Sequence, residues 1–292
     1  CSFIKPSALN DNTPQSLGNY NSLDNYDLAP DEQQRLKRQT GYAIFKSIDY
    51  GEIWEGPIPV NTSPINDYGL GDCSVGGSGA GHIIEMEDRS LLMPLEGTLT
   101  RDTNAQGGEL GRCFLLKSND GGNNWEYWST VAFDDSRIKY FGEPGMVKLD
   151  SGKLICLMRC EIRPSRRFDN LWFSESFDNG ASWSRPSRTE LWGYPADIIQ
   201  LYDGRVLAVY GYRKHPWGVR GCISNDGINW KKKDEFVIKK GGIINEDHYQ
   251  YWHIGYPTVV QCDDNTIIVA YHEYIFDGNY NQCMWVSRFN MN

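Results

Sequence analysis

The chain reads as short apolar runs arranged in pairs, each pair split by a tight polar turn. Four pairs stand out: residues 82–95, turning at Glu87-Asp88-Arg89; 146–159, turning at Asp150-Ser151-Gly152; 198–213, turning at Asp203-Gly204; and 258–274, turning at Asp263-Asp264-Asn265. Short apolar and β-branched runs bounded by Asp, Asn, Ser and Gly predict β-hairpins, because those residues adopt the backbone conformations that tight turns need. Each hairpin leads into a third strand, and in most copies a fixed signature follows, Ser-x-Asp-x-Gly-x-x-Trp. It occurs at 47–54 (SIDYGEIW), 118–125 (SNDGGNNW) and 176–183 (SFDNGASW), with a copy one residue shorter at 224–230 (SNDGINW). Within such a turn Asp and Ser satisfy backbone donors, Gly takes a positive φ, and Trp packs back onto the sheet. The last third strand, 283–289, lacks the signature.

A three- or four-stranded unit recurring roughly every 50 to 70 residues cannot bury both of its faces alone, so copies must stack on one another. Radial stacking predicts an all-β β-propeller with four-stranded antiparallel blades. Four blades read completely, the first signature implies a fifth, and the complete fold is expected to have six. Residues 1–40 are polar and poorly periodic, and are expected to be an irregular segment or degenerate first-blade strands; 41–292 form the propeller.

Composition narrows the picture. A chain of 292 residues can bury a sizeable core. Aromatic residues make up 13%, with 10 Trp, alongside 30 Gly, which suits strands and turns better than helices. The net charge of -9 and the absence of any basic run longer than Lys231-Lys232-Lys233 argue against nucleic acid or an anionic membrane as the main partner. Mean hydropathy is -0.54, and no apolar run approaches the ~18 residues of a membrane span. Eight cysteines without a CxxC pair argue against zinc and against a dense disulfide framework. Cys156, Met158 and Cys160 alternate along one strand and are expected to pack between blades. The chain begins at Cys1, where a lipid-modified cysteine is one reading, and a secreted, periplasmic or cell-surface location is expected.

The four signatures match the Asp-box, and from about residue 41 onward the chain resembles the sialidase (neuraminidase) superfamily. In that family the boxes lie at the blade periphery and act structurally, so Asp49, Asp120, Asp178 and Asp226 are given no catalytic role. Chemistry is expected near the axis. The stretch from Gly142-Glu143-Pro144 through the turn to Arg159 looks like the family hairpin in which a glutamate opens the inner strand and an arginine closes the next. Both ends of a hairpin share one sheet edge, so these two should be neighbours. Two blades on, Gly255-Tyr256-Pro257 holds the same offset: Glu143 precedes Gly152 by nine residues and Tyr256 precedes Asn265 by nine. That position matches the family's nucleophilic tyrosine.

What the resemblance implies is a retaining glycoside hydrolase of exo-sialidase type, with a glycan as partner and no cofactor or metal. Tyr256 would be the nucleophile and Glu143 its base. Arg159, with Arg213 or Arg220, would clamp the substrate carboxylate. A phenol suits this task because a carboxylate nucleophile would be repelled by the carboxylate that sialic acid carries on its anomeric carbon. Trp252 and Tyr194 are candidate sugar contacts, and Trp217 and Tyr251 also lie in loops where stacking platforms occur. The family's first-blade arginine has no counterpart: Phe3-Ile4-Lys5-Pro6 has a similar shape with lysine in its place, and 77–81 has no arginine. Asp102, in the 98–110 loop, and Asp72 are the acid/base candidates. His248 and His253 show no ligand spacing. Three alternatives remain open: a propeller glycosidase acting on another sugar, a phage-type endo-depolymerase, or a non-catalytic glycan-binding propeller.

Overall fold

The structure is a computed structural model that describes residues 43–60, 73–74, 81–99, 111–163, 165, 167–241, 254–276 and 280–291. The expectations for 1–40, Asp72, Asp102, His248, Tyr251, Trp252 and His253 lie outside these residues. Among the described residues nineteen strands fall into five antiparallel sheets. The first sheet pairs β1 (Ala43–Lys46) with β2 (Glu55–Pro59). The second contains β3 (Cys73–Ser74), β4 (Ile84–Glu85), β5 (Leu91–Leu99), β6 (Gly111–Ser118) and β7 (Glu126–Ala132). The third contains β8 (Lys139–Lys148), β9 (Leu154–Ile162), β10 (Arg167–Phe168), β11 (Trp172–Ser176) and β12 (Ser187–Arg188). The fourth runs β13 (Ala196–Gln200), β14 (Val206–Tyr212), β15 (Gly218–Ser224) and β16 (Glu235–Lys240). The fifth runs β17 (Ile254–Gln261), β18 (Thr266–Phe276) and β19 (Tyr280–Asn290). One 3₁₀ turn, Lys232–Asp234, is the only helical element among the described residues.

The later four sheets are blades of a propeller. Blades meet in succession, β4 and its neighbour β5 against β8, β8 against β13, and β13 against β17. Each seam between sheets has its own apolar cluster. Ile44 and Val60 pack with Met93, Leu95 and Phe114; Leu92, Cys113 and Phe141 pack with Met146, Cys156, Met158 and Cys160. Further round, Ile155 and Leu157 pack with Ile198 and Ala208, and Leu207 and Val209 pack with Val259 and Val269. A fully buried side chain of this size contributes about 1.5–3 kcal/mol, so the seams rather than single sheets carry the stability. Cys156, Met158 and Cys160 thus pack between blades as their alternation suggested. No sixth sheet is present among the described residues, and the 47–54 signature links the two strands of the first sheet, β1 and β2.

The repeated signature turns close in one way. The Ser176 hydroxyl donates to Asp178 at 2.8 Å and accepts from the Gly180 amide at 3.0 Å; Asp178 accepts from the Ser182 amide at 2.9 Å; the Trp183 indole donates to the Gly180 carbonyl at 3.1 Å. Ser118, Asp120 and Trp125 repeat the set, as do Ser47, Asp49 and Trp54. These bonds to the ionised carboxylate hold Asp120 down at about 2, the Asn124 amide contributing most. The shorter fourth copy keeps the Asp226 bonds to Ser224 and Asn229 and the Trp230–Gly227 bond. The turns also lock neighbouring blades. A Cβ at Gly180 would lie 2.9 Å from Leu115 of the preceding sheet, and one at Gly227 would lie 2.3 Å from Ile155. At the axis, fully buried Asp197 accepts from Thr258 Oγ1 and Val259 N of the next blade and pairs with His82 from the second sheet at 2.9 Å.

Candidate active site

Two inner strands break their pairing at matching places. In β8 against β9 the pairs Gly142–Arg159 and Gly145–Leu157 leave one extra residue on β8; in β17 against β18 the pairs Gly255–His272 and Thr258–Ala270 leave one extra on β17. Both are β-bulges, and the residue raised by each has a positive φ although it is not glycine: Glu143 at 49° and Tyr256 at 48°. Such a conformation costs on the order of 1–3 kcal/mol and persists only where its surroundings enforce it. A proline follows each, at a bulge where the sheet does not need its missing amide. The two bulges deliver the side chains to one another. The Tyr256 hydroxyl donates to Glu143 Oε1 at 2.7 Å across 113 residues of chain.

Arg159 completes the group, its Nε 3.4 Å from Glu143 Oε2. Glu143 is buried, and Arg159 and Tyr256 are partly exposed. Arg213, just past the end of β14, donates from Nε to the Ile254 carbonyl at 3.2 Å and sets its guanidinium 5.5 Å from the centre of the Tyr256 ring. His272 stacks on Tyr256, with centroids 5.4 Å apart and planes at 23°.

Sequence reasoning left Arg213 and Arg220 both open; the structure sets Arg213 beside Tyr256 and Arg220 elsewhere. Arg220 lies one strand further out, on β15, where it pairs with Glu235 and covers the Tyr212 ring at 3.4 Å. It belongs to an outer cluster in which Tyr210 also donates to Glu235 at 2.7 Å. Tyr194 is set behind Arg213. Its side chain is packed at 3% exposure against Phe168, Trp192 and Arg213, so it has no free face to offer a sugar. It acts instead as the wall that holds Arg213 in place. Burial raises its pKa above the usual phenol value, against the pull of Arg213.

Two residues of the site were not anticipated, Glu96 and His272. Glu96, on β5, is buried beside Arg159 Nη2 at 3.5 Å, and its Oε2 accepts the Glu143 amide at 2.5 Å. A signal for both was present in the repeat. Counting seven residues on from the positive-φ turn residues Arg89, Gly152, Gly204 and Asn265 reaches Glu96, Arg159, Gly211 and His272. Alignment of the hairpins on their second strand, and not only on the inner one, brings both residues to the site. Among the described residues no group of three His, Cys, Asp or Glu side chains converges as a metal site, and no helix is long and apolar enough to cross a membrane.

Radial antiparallel blades stacked seam on seam define a β-propeller. The profile of the BNR repeat-like domain matches residues 26–269, most of the chain, and the chain belongs to that family. This bears out the resemblance to the sialidase superfamily read from the signatures. No curated protein matches. Among solved structures, a protein of unknown function from Dyadobacter fermentans aligns with TM-score 0.67 and 25% identity over 89% of this chain and 69% of its own. A Hadza microbial sialidase aligns with TM-score 0.55 and 17% identity over 80% and 42%. A Penicillium chrysogenum alpha-L-arabinanase aligns with TM-score 0.53 and 15% identity over 71% and 61%. The chain therefore spans less than two thirds of the length of either glycosidase, and at these identities the likeness is one of fold.

Proposed function

We propose that the protein is a retaining glycoside hydrolase that releases a terminal acidic sugar, sialic acid, through a tyrosyl-enzyme intermediate. The observation that supports this most directly is the hydrogen bond from Tyr256 to Glu143, made between two strained bulges on separate blades and flanked by Arg159 and Arg213. A phenol is a poor nucleophile until its proton has an acceptor, and Glu143 Oε1 is that acceptor. In the first half-reaction the proton passes to Glu143, the phenolate oxygen bonds the anomeric carbon, and the aglycone oxygen leaves with a proton from an acid. In the second, water gives its proton to the conjugate base and attacks the same carbon, and the tyrosyl oxygen departs and recovers its proton from Glu143. Asp102 is the acid we assign, with Trp252 as a sugar contact. Arg159 and Arg213 balance the substrate carboxylate. A glycan substrate of this type fits action in the periplasm, at the cell surface or in the medium.

One observation favours a second reading. Arg159 already faces two protein carboxylates, Glu96 and Glu143, which suits a neutral glycan such as an arabinan as well as an acidic one. Tyr256→Phe separates the readings when assayed on an aryl sialoside and an aryl arabinofuranoside. The expected outcome is turnover of the sialoside by the unmodified protein and a loss of at least about 10³-fold in kcat in the variant, with binding retained. Turnover of the arabinoside alone would replace the substrate, and full activity of the variant would remove Tyr256 as nucleophile. Binding without turnover of either would leave a glycan-binding propeller.

A further inference from the structure

Glu96 and Glu143 approach the Arg159 guanidinium from two strands of different blades, at 3.5 Å and 3.4 Å. Glu96 is 5% exposed, and its Oε2 also accepts the Glu143 amide. A Cβ added at Gly142 would lie 1.9 Å from that same oxygen, so the glycine at 142 is what admits the carboxyl group. With both glutamates ionised the trio has a net charge of -1, and a ligand carboxylate on Arg159 would make it -2 in a largely desolvated place. Three carboxylates around one half-buried guanidinium repel one another at a cost that Arg213, set against the Tyr256 ring, offsets only in part.

We infer that Glu96 is a positioning residue whose protonation decides whether Arg159 accepts a ligand carboxylate, so that an acidic sugar enters together with one proton. This rests on the acidic-sugar reading above. A protonated Glu96 keeps its carbonyl oxygen on the Glu143 amide, so the bulge that aims Glu143 stays in place while the competing charge disappears. Burial raises the Glu96 pKa to about 7, the Arg159 charge opposing the shift and Glu143 adding to it. Among the described residues, Cys113, paired opposite Glu96 on β6, also faces it, and burial keeps it as a neutral thiol. Beyond Arg159 lie the phenols Tyr140 and Tyr256. Of these, Glu96 is the one placed to take the proton without losing the Tyr256–Glu143 bond.

The test is calorimetric binding of the unsaturated glycal analogue of sialic acid between pH 5 and 8, with buffers of two ionisation enthalpies. The unmodified protein is expected to bind about tenfold more tightly at pH 6 than at pH 8 and to take up close to one proton per ligand at pH 8. Glu96→Gln, which keeps the hydrogen bond without the titration, is expected to bind equally at both pH values and take up none. The proton count is read on the unmodified protein, so it stands even if the variant folds poorly. Affinity independent of pH in the unmodified protein, or the same pH dependence in Glu96→Gln, would overturn the inference and leave the tyrosyl mechanism in place. Absence of binding by both proteins across the range would overturn the acidic-sugar reading and the inference with it.

Discussion

The outer turns and the inner bulges of this propeller use repetition in opposite ways. At the periphery, backbone geometry and residue identity recur together: Ser, Asp, Gly and Trp return with the same hydrogen bonds in successive sheets. At the axis, the backbone recurs while the side chains change. One bulge raises Glu143 and its counterpart raises Tyr256; one second-strand position carries Glu96, Arg159, Gly211 and His272 in four successive blades. A scaffold needs the same solution at every seam, so its residues repeat. A reactive centre needs unlike groups within hydrogen-bond reach of each other, and a radial fold supplies them by varying one position from blade to blade.

That contrast predicts that inner substitutions remove activity with little change in folding, and outer ones do the reverse. Glu143→Gln should lower kcat by about 10²–10⁴-fold on any substrate the protein turns over, with an unchanged denaturation midpoint. Among the outer turns, cost should follow burial and not the signature. Trp230→Ala, at a side chain 2% exposed between two blades, should cost about 3–5 kcal/mol in urea unfolding. Trp54→Ala, at 53% exposure, should cost under about 1 kcal/mol. Equal costs at the two sites would mean that the turns stabilise locally and do not lock seams.

Glu96 stands between the two behaviours, being buried like a core residue and charged like a site residue. Its folded pKa of about 7 lies above the ordinary 4.5, so the folded state holds the proton more tightly than the unfolded chain does. Its contribution is then fully present below about pH 4.5 and is lost as pH rises through 7. The stability of the unmodified protein relative to Glu96→Gln should fall by roughly 3 kcal/mol from pH 4 to pH 8, and a flat difference would contradict the burial argument. A smaller effect than at Trp230 or Glu96 is expected at Ser176→Ala. It removes a hydroxyl bonded to the Gly180 amide and to Asp178, at about 1–2 kcal/mol with kcat unchanged.

Much of the scaffold was legible because its causes are local. Asp150-Ser151-Gly152 turns where it does through the conformations those three residues favour, and Ser-x-Asp-x-Gly-x-x-Trp closes on itself within eight residues, so neither needs a distant partner. The offset of nine residues that linked Glu143 to Tyr256 was readable for the same reason, since it counts along one hairpin. Arg213 and Arg220 were equivalent as sequence, and only the approach of β14 to β17 put the first beside Tyr256. Tyr194 resembles Tyr256 as a Gly-Tyr-Pro tripeptide, yet Phe168, Trp192 and Arg213 close over it.

What the sequence alone determined is the blade unit: strand, turn, strand and signature, together with the bulge-prone Gly-x-Pro segments. Tertiary structure decided which unlike side chains meet at the axis, and with what charge. A bond such as Tyr256 to Glu143 spans separate blades, and the affinity of Glu96 for a proton comes from desolvation and from neighbours on other strands. Both depend on through-space distance and burial, which exist only once the blades have packed.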